Sequence, residues 1–213
     1  AGIEEAMQAY LSWEVALVEQ IERDGTTRFF GLILTDPTGI PGDGLRLSNA
    51  DWAGIPLRPL HALGVAESAT AIRQGKFSSV ELCEALLDRI ETLSDIQAWV
   101  HVDAEAVLAE ARDRQAELDR RSTAPLLGVP VGIKDIFFTA GMPTTACSRV
   151  YADLVPDHDA TSVARLRHAG AIILGKTVTT EFAYRDPSPT LNPWNRAHTP
   201  GGSSSGSAAA VAA

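Results

Sequence analysis

Cysteine is scarce in this chain. Only Cys83 and Cys147 occur in 213 residues, far apart and without the paired spacing of a metal site. They give no disulfide framework, and such usage suits a reducing, cytoplasmic compartment. Basic residues are also few: 18 Lys and Arg stand against 27 Asp and Glu, a net charge of −9. Phosphate backbones require a basic face, so nucleic acid is not expected as a main partner. No eighteen-residue apolar run exists, so no segment reads as a membrane span. The first residues, Ala1-Gly-Ile-Glu-Glu5, are acidic, unlike the basic start of a secretion signal. Internal repeats are absent. What remains, 45% hydrophobic and 21% charged, is the composition of a globular domain.

Residues 1–60 read as a helix–hairpin extension. Met7, Tyr10, Leu11, Leu17, Val18 and Ile21 recur at helical spacing over residues 4–23. Arg28-Phe-Phe-Gly-Leu-Ile-Leu-Thr35 is a strand candidate, Asp36-Pro-Thr-Gly39 a turn, and Leu45-Arg-Leu47 a returning strand. No chemistry is visible there, and packing or partner binding is the expected role.

From Leu60 the texture changes. Val65 to Gln74 predicts a short helix ended by Gly75. Ser78-Ser-Val-Glu81 is a capping box that opens a helix striped with Leu82, Cys83, Leu86, Leu87 and Ile90. Cys83 is thereby a core residue. Asp103 is expected to cap a third helix ending near Arg121, and Asp159-Ala-Thr-Ser162 a fourth. Between them, Leu126 to Lys134 reads as a buried strand, and Ala171-Ile-Ile-Leu174 as another. Helices alternating with buried strands indicate an α/β fold.

Three places attract chemical attention. Gly170-Ala-Ile-Ile-Leu-Gly-Lys-Thr177 matches the phosphate-loop pattern formally. Its four inner residues read as a strand, which cannot wrap its N–H groups around a phosphate, so nucleotide binding is not expected. Lys134 ends an apolar strand, where side chains face a cleft. An ammonium among apolar walls loses its proton more readily and can act as a base, unless it is a solvated lysine paired with Asp135. The third place is Thr199-Pro-Gly-Gly-Ser-Ser-Ser-Gly-Ser207, which runs into Ala208-Ala-Ala-Val-Ala-Ala213. Hydroxyls on a glycine-rich backbone precede an Ala-rich helix opened by Gly206 or Ser207. That arrangement suits proton relay or anion stabilisation, unless the stretch is a flexible Gly/Ser linker, against which the Ala/Val helix that follows at once argues.

In order, Gly128-Val-Pro-Val-Gly-Ile-Lys-Asp135, Asp159-Ala-Thr161, Gly170 to Thr177, Asn192-Pro-Trp-Asn195 and the serine-rich segment resemble the amidase signature family. The likeness runs from about Leu63 to Ala213 and is dense from Gly128. It implies an α/β/α sandwich with a mixed central sheet, incomplete in this chain. Residues 61–213 would be the N-terminal portion of an amidase domain. The loop Arg185-Asp-Pro-Ser-Pro-Thr-Leu-Asn-Pro193 is similar to small-substrate amidases such as malonamidase.

The resemblance also assigns roles. It makes Lys134 the base and Ser203 a relay hydroxyl, with a cis peptide bond at Gly202–Ser203. The attacking serine belongs to a later Gly-Gly-Ser segment, which no residue here matches. The remainder of the domain would follow as a continuation or a second chain, and this chain alone would be inactive. The expected reaction is hydrolysis of a small linear amide through an acyl-enzyme, with no metal and no organic cofactor. Arg185 would clamp a substrate carboxylate, unless it is a surface residue paired with Asp186. Trp194 reads as packing. Two other functions are left open: an ammonia-supplying amidotransferase subunit, with residues 1–60 docking a partner, and a non-catalytic interaction module. A homo-oligomer is also left open.

Overall fold

A computed structural model of the chain describes residues 59–120 and 122–213. The helix read over residues 4–23 and the strands over 28–35 and 45–47 lie outside them. Among the described residues, no helix is long and apolar enough to cross a membrane.

Local sequence accounts for the first helices. Helix α1, Val65–Arg73, buries Ser68, Ala69 and Ile72 on one face. Helix α2, Ser79–Thr92, opens on the expected capping box. Glu81 N donates to Ser78 Oγ at 3.1 Å, and Ser78 N donates to Glu81 Oε2 at 2.7 Å. Such a cap stabilises a helix by about 1 kcal/mol. Helix α3, Ala104–Asp119, opens at Asp103, whose carboxylate accepts from Ala106 N at 3.0 Å.

The fourth cap differs from expectation. Helix α4, Thr161–His168, has Ala160 at its N-cap and no side-chain cap. Asp159 stands one residue too early and is used elsewhere. Its carboxylate accepts from Ala140 N at 2.8 Å and pairs with Arg167 at 3.1 Å.

Three strands form one sheet in the order β1-β3-β2, with β1 at Trp99–His101, β2 at Pro130–Lys134 and β3 at Ile172–Thr177. Strand β1 runs antiparallel to β3, and β2 runs parallel to it, so the sheet is mixed. Parallel neighbours need a crossover, and α4 lies within it. Ile172 and Leu174 pack with Cys83, Val107 and Ala111 of α2 and α3. Ile173 packs with Ile133 and Val163 toward α4. The result is three layers, α/β/α, as expected.

A register irregularity between Val131 and Gly132 alters the usual alternation. Val131 faces Ile173, but the next residue, Gly132, faces Gly175, so Leu174 is an extra residue on β3. Past it, Lys176 pairs with Ile133 and points toward the α4 side. Thr177 pairs with Lys134 and points the other way.

Helix α5, Ser205–Ala212, begins slightly before the expected Gly206 or Ser207, with Ser204 at its N-cap. Gly206 is needed for close approach instead. A Cβ there would collide with the backbone at Ala98 O and Val178 N. Glycine therefore lets the first turn of α5 press against the strand ends, which brings the serine segment beside the tip of β2.

Candidate active site

Lys134 is the last residue of β2 and is half-buried. Its Nζ donates to Ser203 Oγ at 2.5 Å. The Gly202–Ser203 peptide bond is cis. Burial lowers the Lys134 pKa from the ordinary lysine value. Among the described residues, no carboxylate pairs with it. An amine in this position, once neutral, accepts the hydroxyl proton along the same line.

Ser203 is held from behind. Its carbonyl accepts from Thr180 N and from Thr179 Oγ1, each at 3.0 Å. The following turn is tied to the strands as well, because Thr177 Oγ1 and Ser207 Oγ share a hydrogen bond of 2.7 Å. Ser188 Oγ donates to Ser205 Oγ at 2.7 Å.

Ser203 opens onto a shallow cavity of about 390 Å³, lined also by Thr180, Tyr184, Arg185, Pro187 and Gly201. Arg185 is exposed, and its guanidinium lies 5.8 Å from the centre of the Tyr184 ring. Among the described residues it forms no ion pair, with Asp186 or any other carboxylate. The structure therefore brings Lys134 and Ser203 into direct contact and sets Arg185 on the rim of the same cavity. Trp194 departs from the packing expectation and is 74% exposed. Its backbone N donates to Asn192 Oδ1 at 2.9 Å, a local turn that carries the indole outward.

Asp135 does not pair with Lys134. It follows Lys134 in the chain, so its side chain leaves the opposite face of the strand and meets Lys176 at 3.1 Å. Both side chains are fully buried. Lys176 Nζ also donates to Phe137 O at 3.0 Å and to Thr144 Oγ1 at 2.6 Å. Burial lowers the Lys176 pKa, and the Asp135 carboxylate opposes the shift. This lysine belongs to the formal phosphate-loop match, and its place in the core confirms that no such loop forms: Gly170 closes α4 and β3 follows at once.

Sequence reasoning missed the Asp135 cluster. Asp135 Oδ2 accepts from Thr145 Oγ1 at 2.6 Å, from Thr145 N at 3.1 Å and from Cys147 N at 3.3 Å. Thr179 N in turn donates to Cys147 Sγ at 3.3 Å. The available signal was a lysine inside an apolar run, since residues 170–180 are buried without a break. Cys83 is a core residue as expected, with its thiol pushed up to about 12 by burial first and by Glu110 and Glu84 next. Ser148 donates to Glu181 Oε1 at 2.6 Å and does not touch Ser203.

A three-layer α/β frame thus carries a lysine–serine pair at a strand tip. A family model described as Amidase matches residues 81–213, and the chain belongs to that family. It is similar to a glutamyl-tRNA(Gln) amidotransferase subunit of Roseiflexus sp. (strain RS-1), 44% identical over 161 residues. That alignment covers 72% of this chain and 33% of the relative. The corresponding subunit of Salinispora tropica is 45% identical over 166 residues, with 72% of this chain and 33% of the relative covered. Among solved structures, the native peptide amidase of Stenotrophomonas maltophilia superposes with a TM-score of 0.65 at 39% identity, over 70% of this chain and 34% of that one. A 6-aminohexanoate cyclic dimer hydrolase complexed with substrate gives 0.63 at 31% identity, over 71% and 32%. The chain thus spans about a third of the length of the curated relatives it matches.

Proposed function

We propose that this chain supplies the base and the relay hydroxyl of an amidase that cleaves a carbon–nitrogen amide bond. The 2.5 Å contact between Lys134 Nζ and Ser203 Oγ carries the reading. Neutral Lys134 takes the proton of Ser203, and Ser203 takes that of an attacking serine. The attacking serine adds to the amide carbonyl carbon. Collapse of the adduct breaks the C–N bond, the relay returns a proton to the departing amine, and an acyl-enzyme remains. Water then hydrolyses the ester.

The attacking serine comes from outside residues 1–213, as a continuation of the chain or on a second polypeptide. Residues 61–213 are then the N-terminal portion of the amidase domain, residues 1–60 an extension, and the chain alone is inactive. The malonamidase-like assignment rests on the loop from Arg185 to Pro193. With it goes a small substrate whose carboxylate meets Arg185, whose guanidinium is unpaired among the described residues. A second reading, an ammonia-supplying amidotransferase subunit, is favoured by the 44% identity to the Roseiflexus protein.

One experiment tests the reading and separates it from the second. The assembled enzyme, purified without other proteins, is given an aliphatic amide and hydroxylamine, and the hydroxamate is measured. Hydroxamate formation that disappears in Lys134→Ala supports the amidase. Turnover that requires a co-purifying protein supports the amidotransferase reading. Full hydroxamate formation by Lys134→Ala overturns the assignment of the base.

A further inference from the structure

Lys134 and Ser203 lie 69 residues apart, on different elements, yet they meet within one hydrogen bond. Neither is rigid by itself: Lys134 has a long flexible stem, and Ser203 sits in a loop ahead of α5. Something must fix their mutual position to a few tenths of an ångström for a proton to pass between them. Among the described residues, a group outside the relay is connected to both.

That group is the Asp135 carboxylate, and two paths leave it. The first is the chain itself. Asp135 N donates to Thr177 O at 3.0 Å, which continues the pairing of β2 with β3 past the strand end. Its side chain is clamped on the α4 side by Lys176, Thr145 and Cys147. With residue 135 held on one face, residue 134 must project from the other, where Ser203 stands. The second path runs through the fold. Cys147 N is held by the carboxylate, and Cys147 Sγ accepts from Thr179 N. The Thr179 hydroxyl then donates to the Ser203 carbonyl at 3.0 Å. Asp135, Lys176 and Thr179 are all 0% exposed, and Cys147 and Ser203 are half-buried, so water has restricted access to these bonds.

We propose that Asp135, neutralised by Lys176, positions both members of the Lys134–Ser203 pair, and that Thr179 is the residue through which it reaches Ser203. The proposal rests on the relay reading above and deepens it. These are positioning residues, which touch neither substrate nor the reacting atoms. The carboxylate suits the task because every neighbour it meets is a donor: an ammonium, a hydroxyl and two backbone N–H groups. An amide side chain of the same shape would turn its NH₂ toward one of those donors and break the set.

The test uses the assembled enzyme and whichever of propionamide, benzamide and glutamine the wild type turns over fastest. Thr179→Val keeps the side-chain shape and removes only the hydroxyl; Thr179→Ser keeps the hydroxyl. Expected for Thr179→Val is a kcat about tenfold lower with KM within threefold of wild type, and for Thr179→Ser a recovery to within threefold. Asp135→Asn should lower kcat about a hundredfold at little-changed KM, with folding checked by circular dichroism at the assay temperature. Wild-type kcat in Thr179→Val, or equal losses in the Val and Ser variants, overturns the proposal, because loss of packing alone would then explain the data. Wild-type kcat in a folded Asp135→Asn does so too. Should Asp135→Asn not fold, the Thr179 pair decides alone. Lys134→Ala is measured alongside. Turnover in that variant removes the relay reading itself, whereas an inactive Lys134→Ala beside normal Thr179→Val removes only the positioning role.

Discussion

Two lysines stand side by side at the end of the sheet, on opposite faces. Lys134 projects toward α5, is half-buried, and meets a hydroxyl. Lys176 projects toward α4, is fully buried, and meets a carboxylate, a hydroxyl and a backbone carbonyl. Burial pushes both below the ordinary lysine pKa, but only Lys176 has a carboxylate pulling in the opposite direction. Burial therefore does not by itself make a lysine a base. The partner decides: a neutral hydroxyl leaves the amine free to lose its proton, whereas a buried carboxylate keeps the charge in place. One face of the strand end sets a lysine against a neutral hydroxyl and the other sets a lysine against a carboxylate.

The sharpest way to break this comparison is to remove each lysine in turn. In the assembled enzyme, Lys134→Ala should lower kcat by about 10²–10⁴-fold, the usual range for loss of a general base. Its melting temperature should stay close to that of wild type, because no ion pair is lost. A kcat within tenfold of wild type in steady-state assays would put the base elsewhere. Lys176→Met should show the reverse emphasis, with stability as the first casualty. It leaves Asp135 charged, buried and unpaired, which costs about 3–5 kcal/mol. The double variant Asp135→Asn with Lys176→Met removes both charges and should recover part of that loss in denaturant unfolding. A Lys176→Met protein as stable as wild type would mean that the pair adds nothing to the fold.

These two faces were unequally legible in the sequence. The Lys134–Ser203 pairing could be expected only because several motifs in order resembled a family; nothing local connects residues 69 apart. The Lys176–Asp135 pair was hidden for a different reason. It depends on the extra residue at Leu174, which changes the side to which Lys176 points, and alternation counted along β3 does not reveal a bulge. Short-range features were easier. The Ser78–Glu81 box is complete within four residues and formed as read. Asp159 had the right identity for a cap, but its tertiary partners Ala140 and Arg167 claimed it. Strand β1 has three residues, too few to show a period, and its pairing with β3 is what defines it.

The comparison can be sharpened by titration. Because burial depresses the Lys134 pKa, the rate should rise with pH as the amine loses its proton, with a midpoint below the ordinary lysine value of 10.5. Stability follows the same sign. Below the depressed value the amine is protonated in both folded and unfolded states, and the fold bears the whole cost of burying the charge. Between that value and 10.5 the unfolded chain binds more protons, so stability rises with pH and levels off above it. Replacing Lys134 with Met should remove the share of that rise due to Lys134 and leave the share due to Lys176, whose pKa burial also lowers. A rate profile flat across the window in the wild type would show that no lysine titrates in the rate-limiting step.

The smallest expected effect lies at the cavity rim, where neither lysine is involved. Arg185 is exposed, so a carboxylate bound to it is partly hydrated and gains less than a buried ion would. Its guanidinium is nevertheless oriented by the Tyr184 ring and unpaired among the described residues. Arg185→Ala should raise KM about tenfold for an amide that carries a carboxylate near the scissile bond, a difference of about 1.4 kcal/mol. For an uncharged amide KM should change less than twofold, and kcat should hold for both, because the contact exists before and during the reaction alike. Equal changes for the two substrates would assign Arg185 to the packing of its loop and leave carboxylate recognition to residues outside this chain.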